Sequence, residues 1–210
     1  MAYIPLMFDF TNKIIKIFGG GMIAERRVKA LLESEAIIQI ISPNITSRLK
    51  ELHNSNRIHW INKEFDSGDI QNEDFIIVAT GNEAVNQKIR KLTPDHTLIN
   101  MTNEAESGNV IFPGTLNRGK LSISVSSNGA SPKLVSQILN NLNEQFPPDY
   151  EAYVDFLYHC RCTIKNLEIE KEQKQQLLEE IISDKYLDSN HQLQFTKWLD
   201  TQNSMRAREE

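Results

Sequence analysis

The segment IIKIFGGGMIAERRVKALLESE (residues 14–35) constrains the fold more than any other stretch of the chain. Its first five residues are mostly apolar and β-branched, the composition of a strand. Three glycines follow, and then Ala24, Val28, Leu31 and Leu32 recur at helical spacing. Passage from strand to helix through so tight a turn is the opening of a parallel α/β unit.

The alternation continues downstream. AIIQIISP (36–43) reads as a second strand stopped by Ser42-Pro43, NITSRLKELHNSN as a short helix with Thr46 or Ser47 near its start, and RIHWINKEF as a third short strand. FIIVAT (75–80) is almost continuously apolar, as a parallel strand covered on both faces must be. Asn82 begins another helix, and residues 97–101 close the series as a strand. The order β-α-β-α-β-β-α-β predicts an α/β fold with a Rossmann-type nucleotide-binding domain over residues 1–112.

Beyond that point the pattern changes. NVIFPG (109–114) and KLSISVSSNG (120–129) read as two strands of a smaller sheet separated by TLNR, which puts Asn117 and Arg118 in a loop. SPKLVSQILNNLNEQF starts a helix with Ser131 as N-cap and Pro132 at the first helical position. Pro147-Pro148 marks the expected boundary between a small mixed region, 113–147, and a C-terminal helical domain, 148–210.

Gly19-x-Gly21-x-x-Ala24 has the spacing of the dinucleotide fingerprint in its alanine-ending form. Gly19 permits the turn, Gly21 leaves room for a pyrophosphate, and Ala24 lets helix and strand approach. The candidate cofactor contacts are therefore Gly19, Gly20, Gly21, Met22, Ile23 and Ala24. Ser42, Pro43, Ala79 and Thr80 join them from the ends of the second and fourth strands. The same glycines would also suit a plain turn in another α/β protein. The fingerprint ordinarily puts an acid at the end of its second strand to hold the adenosine ribose. Ser42 can hydrogen-bond a ribose but penalises a 2′-phosphate little, and Arg26, Arg27 and Arg48 are the nearby cations, so NAD and NADP both stay open on the residues alone.

Several classes are disfavoured. A formal charge of -5 gives no global attraction to nucleic acid or anionic membrane. The longest apolar runs fall far short of the roughly 18 residues of a membrane span. MAYIPLMFDFTNK has no basic segment ahead of an apolar stretch, so no secretory leader is expected. Cys160 and Cys162 in HCRC would stand about 200° apart on a helix, and the five histidines show no ligand spacing, so neither a disulfide nor a metal site is expected. These features suit a cytoplasmic protein.

Three stretches carry a family resemblance: PLMFDFTNKIIKIFGGGMIAERRVKALL, FIIVATGNEAVNQKI and INMTNEAESGNVIFPGTLNRGKLSISVSSNGASPKLVSQI. Over residues 5 to about 145 the chain resembles the precorrin-2 dehydrogenases of siroheme synthesis, a group that includes the N-terminal part of the siroheme synthases. The resemblance implies NAD-dependent oxidation of the tetrapyrrole precorrin-2 to sirohydrochlorin. It also implies a homodimer built through residues 113–147, with an active cleft between the nucleotide domain and parts of the dimer. Some relatives also insert ferrous iron.

The departure from the family lies in TNEAE. An aspartate credited with acid–base work is expected where this chain has Asn103, and Glu104 follows. A carboxylate can accept a proton and an amide cannot, so Asn103 is expected to orient substrate or cofactor and Glu104, or solvent, to act as base. Asn117 and Arg118 suit a substrate with many acidic side arms. Ser127 and Asn128, in the turn before Ser131, are candidates for a propionate, and Ser127 matches a serine phosphorylated in some relatives. Two alternatives accompany this reading: a carrier or sensor that binds dinucleotide and tetrapyrrole with little turnover, and a bifunctional dehydrogenase/ferrochelatase. The latter loses most from the asparagine.

Overall fold

The computed structural model describes residues 3–206; the last four residues of the helical tail lie outside them. The chain forms two compact units, Met1–Phe112 and Pro113–Glu210.

In the first unit β1 (Ile14–Phe18), α1 (Met22–Leu31), β2 (Ile37–Ile41), α2 (Ser47–Asn54) and β3 (His59–Ile61) are followed by β4 (Phe75–Val78), α3 (Glu83–Leu92) and β5 (Leu98–Met101). The five strands form one parallel sheet in the order β3-β2-β1-β4-β5. This is the Rossmann-type α/β arrangement expected from the sequence. Successive side chains of a strand point to opposite faces, and both faces are covered here. Ile15, Ile17, Ile38, Ile40 and Ile77 bury against Ala24 and Val28 of α1 and Leu49 of α2. Phe18, Ile41, Ile76, Val78 and Ile99 bury against Ile89 of α3. Each such side chain contributes about 1.5–3 kcal/mol over leaving it in water, which holds the strand ends in register for whatever binds there.

In this unit the starts of α2 and α3 are capped by side chains. The Leu49 amide donates to Thr46 Oγ1 at 3.2 Å, and the Val85 amide to Asn82 Oδ1 at 3.2 Å. Each cap is typically worth about 1 kcal/mol.

The second unit holds β6 (Gly114–Arg118), β7 (Leu121–Val125), α4 (Pro132–Gln145), α5 (Tyr150–Asn166), α6 (Lys171–Glu180) and α7 (Ser189–Arg206). β6 and β7 pair antiparallel from Gly114↔Val125 to Arg118↔Leu121. The hairpin corrects the expected strand placement. TLNR lies inside β6, and the turn is Gly119-Lys120, with Gly119 at φ +54°, a conformation that favours glycine. Residues 109–113 form no strand. The reason is where their apolar groups go: Val110 and Phe112 pack on the core of the first unit, and Phe112 stacks on Phe75 at 5.8 Å. Gly114 lets α4 close on the hairpin, since a Cβ there would lie 2.5 Å from Leu139 and 2.9 Å from Val135.

Pro147-Pro148 separates α4 from α5 within this unit. The helical core gathers Tyr153, Phe156, Cys160 and Ile164 of α5 with Phe195 and Leu199 of α7. Cys160 is buried in it and Cys162 is exposed; both are free thiols.

Candidate functional site

The carboxyl ends of β1, β2 and β4 open onto a cavity of about 650 Å³, within the usual range for a small-molecule site. It lies where the strand order reverses, between β1 and β4, the place where open α/β sheets bind ligands.

Its floor is the glycine turn. Gly19 has φ +110°, and its amide donates to Ile41 O at 3.0 Å. A Cβ on Gly19 would stand 2.3 Å from Ala79 O, and one on Gly20 would stand 2.1 Å from Asn44 O. These two glycines let the ends of β2 and β4 close against the turn. Gly21 differs: nothing lies within 4 Å of its would-be Cβ, and it is the N-cap of α1. The open side of the turn thus meets a helix N-terminus, whose first amides have no intrahelical acceptor and favour an anion. A pyrophosphate fits there. Ala24 is fully buried behind it. Met22 and Ile23 leave their side chains exposed outside the cavity lining, so only their backbone can serve a cofactor.

The walls come from the neighbouring strand ends. Ser42, Pro43, Asn44, Thr46 and Glu64 line the β2–β3 side, and Ala79, Thr80 and Asn82 the β4 side. Ser42 Oγ donates to Asn44 O at 2.7 Å, so its proton is already engaged. Thr46 Oγ1, besides capping α2, donates to Glu25 Oε2 of α1 at 2.6 Å and ties the two helices together. No lysine or arginine lines the cavity among the described residues. Arg48 is paired with Glu51 at 2.8 Å, and Arg27 sits over the Phe112 ring at 4.4 Å, its pKa lowered chiefly by burial.

Asn103 does not itself line the cavity but bonds to a residue that does. Its Nδ2 donates to Thr80 O at 3.3 Å, the same carbonyl that accepts from Asn86 Nδ2 at 3.2 Å, while Thr80 Oγ1 donates to Asn86 Oδ1. Glu104 is turned to other partners: Oε2 accepts from Gln87 Nε2 at 3.0 Å and from Ser107 Oγ at 2.7 Å, and the residue does not line the cavity. The adjacent pair is thus divided between two tasks.

The remaining candidates lie in the second unit. Asn117 and Arg118 belong to β6 rather than to a loop. Arg118 Nε donates to Phe146 O at 2.7 Å and Pro147 O at 2.9 Å, Nη1 to Asn117 O at 2.8 Å, and Nη2 to Asn143 Oδ1 at 2.7 Å. Its guanidinium therefore closes the C-terminal end of α4 rather than standing free for an acidic ligand. Asn117 Oδ1 accepts from Ser122 Oγ across the hairpin. Ser127 Oγ accepts the Ser131 amide at 3.0 Å, and Asn128 has φ +49° in the same turn. Sequence reasoning missed Asn44, Thr46, Asn82 and Glu64 as cavity residues. Cap preference was a usable signal for Thr46 and Asn82; for Glu64 none existed, because it reaches the site from the end of β3.

A glycine turn, a helix N-terminus and a cavity at the switch point of a parallel sheet define a dinucleotide-binding protein of the Rossmann class. Comparison with known proteins narrows this. An NAD(P)-binding family model matches residues 6–114, a model of the central part of sirohaem biosynthesis proteins matches 118–144, and the SirC C-terminal domain matches 150–195. The precorrin-2 dehydrogenase of Priestia megaterium is 34% identical over 181 residues, covering 86% of this chain and 90% of that protein. That of Bacillus subtilis (strain 168) is 36% identical over 158 residues, covering 75% and 98%. A solved structure, "SirC, precorrin-2 dehydrogenase", superposes with a TM-score of 0.85 at 32% identity, covering 95% of this chain and all of that one. The chain belongs to the precorrin-2 dehydrogenase family of siroheme synthesis.

Proposed function

We infer that the protein oxidises precorrin-2 to sirohydrochlorin with NAD as acceptor. The observation that carries this reading is the cavity over Gly19–Gly21, open at Gly21 and free of basic side chains among the described residues. Gly19, Gly20 and Gly21 with the first amides of α1 hold the pyrophosphate, and Ala79 and Thr80 border the half of the cleft beyond β1. Bound NAD supplies a hydride acceptor; a proton must also leave the substrate.

Asn103 is proposed as the residue that orients groups at the Thr80 side of the cleft. An amide accepts no proton, and the Glu104 carboxylate already accepts two hydrogen bonds away from the cavity. Neither member of this pair is placed as the base, and in this proposal the proton goes to water or to the substrate's own carboxylates. The ferrochelatase alternative loses support at the same position, since stripping pyrrole protons and passing a metal both favour a carboxylate where this chain has the Asn103 amide.

A homodimer through β6, β7 and α4 is part of this proposal. α4 buries no residue completely in the single chain although Leu134, Val135, Ile138, Leu139 and Leu142 recur at helical spacing, and Leu134 is 49% exposed. No helix among the described residues is long and apolar enough to cross a membrane, and a cytoplasmic location is proposed with it.

The test mixes purified protein with enzymatically made precorrin-2 and NAD under anaerobic conditions. Growth of NADH absorbance together with the sirohydrochlorin spectrum is expected. Binding of both ligands without either change would replace the enzyme reading with the carrier one, which the amide at position 103 favours. Sedimentation velocity tests the dimer.

A further inference from the structure

The cavity holds a carboxylate that the fingerprint alone does not account for. The end of β2, where an acid ordinarily grips the adenosine ribose, carries Ser42-Pro43-Asn44, and the Ser42 hydroxyl proton is spent on Asn44 O. β3 is the parallel neighbour of β2, with Ile41 opposite Ile61 and the Ser42 amide donating to Ile61 O at 3.3 Å. Glu64 follows β3 by three residues and lines the cavity beside Ser42 and Pro43. It is exposed and forms no hydrogen bond or ion pair among the described residues, whereas the nearby acids Asp66 and Asp69 are held by Gly68 and Lys63. No cation lines the cavity to offset its charge among the described residues.

We propose that Glu64 is the specificity-determining residue of the cofactor site: it accepts the adenosine ribose hydroxyls of NAD from the end of β3 and repels the 2′-phosphate of NADP. The inference rests on the dehydrogenase reading above and deepens it. A carboxylate accepts two hydroxyl donors at once, and hydrogen bonds to a charged group are stronger than neutral ones. A 2′-phosphate removes one of those donors and brings about -1.5 to -2 charges at neutral pH toward a site with no compensating cation.

The test is direct binding of NAD and NADP to the full-length protein by calorimetry, with no turnover required. Wild type is expected to favour NAD by at least about tenfold, the size of one hydrogen bond to a charged group. Glu64→Gln keeps the shape, and is expected to weaken NAD about tenfold while bringing the two affinities together. Glu64→Lys is expected to favour NADP. The side chain is exposed, so unchanged circular dichroism is expected in both variants. A Glu64→Gln protein that keeps the wild-type NAD-to-NADP ratio overturns this inference alone. Wild-type protein that binds neither dinucleotide overturns the dehydrogenase reading and the inference with it.

Discussion

Gly19 lies so close to Ala79 that a Cβ on it would stand 2.3 Å from the Ala79 carbonyl oxygen, at a φ of +110° that side chains rarely adopt. The turn after β1 and the end of β4 are thereby one surface, and the cleft exists because of their contact.

Gly19 and Gly21 are therefore expected to fail differently. Gly19→Ala brings backbone strain of about 1–3 kcal/mol in addition to the overlap, and should lower the melting temperature by several degrees while abolishing NAD binding. A Cβ on Gly21 would meet no neighbouring atom within 4 Å. Gly21→Val should lower the melting temperature by no more than about 2–4 °C, the cost of a poorer N-cap, and weaken NAD at least tenfold, because the branched group occupies the anion's place. Wild-type NAD affinity in Gly21→Val would remove the pyrophosphate from this turn.

Lys16 interrupts the apolar run of β1, yet its side chain is only 8% exposed and pairs with Glu73, 3% exposed, while Nζ also donates to Asp69 O at 2.6 Å. Removing one member strands the other without water. Glu73→Ala is expected to cost about 3–5 kcal/mol in chemical denaturation, and Lys16→Met with Glu73→Leu together should recover most of it. A single variant as stable as wild type would mean that the carboxylate or ammonium finds water in the native state.

At the cleft rim the substitutions should divide Asn103 from Glu104. Glu104→Gln retains the acceptor for Ser107, and should leave kcat within a few-fold of wild type. Asn103→Ala should lower kcat with little change in NAD affinity, and Asn103→Asp should raise kcat by adding a carboxylate beside Thr80. A fall of about 10²–10⁴-fold in Glu104→Gln, the usual worth of general acid–base catalysis, would instead make Glu104 the base.

The two cysteines should behave oppositely. Burial pushes the Cys160 thiol up to about 11 from 9.0, and Cys162 is exposed. A thiol reagent at pH 8 is expected to titrate one group in the native protein and two in denaturant. Above pH 9.0 the unfolded Cys160 releases its proton while the folded thiol holds it to about 11. Its contribution to stability is complete below pH 9.0 and is lost as pH rises to 11. Cys160→Ala should remove that part of the alkaline decline in denaturation midpoint.

The succession of strands and helices along the chain and the glycine turn were legible because they rest on local pattern. β1, β2, β4 and β5 are short apolar runs, α1 has a helical period, and Ser131, Asn82 and Thr46 start helices by capping groups that need no distant partner. The hairpin was misread by five residues for a related reason: NVIFPG is as apolar as a strand, and only the packing of Val110 and Phe112 on the sheet shows that its apolar groups are claimed elsewhere.

By itself, then, the sequence determined the α/β order, the turn and the family, since periodicity, capping and the GxGxxA spacing are properties of neighbouring residues. Tertiary structure decided what the polar residues do. Arg118 is unassigned in the sequence and spent on the end of α4 in the fold, Glu104 is bound to Gln87 and Ser107, and Glu64 enters the cleft from the segment that follows β3. A polar side chain's role depends on which donors and acceptors lie within about 3 Å, and those partners come from elements distant along the chain.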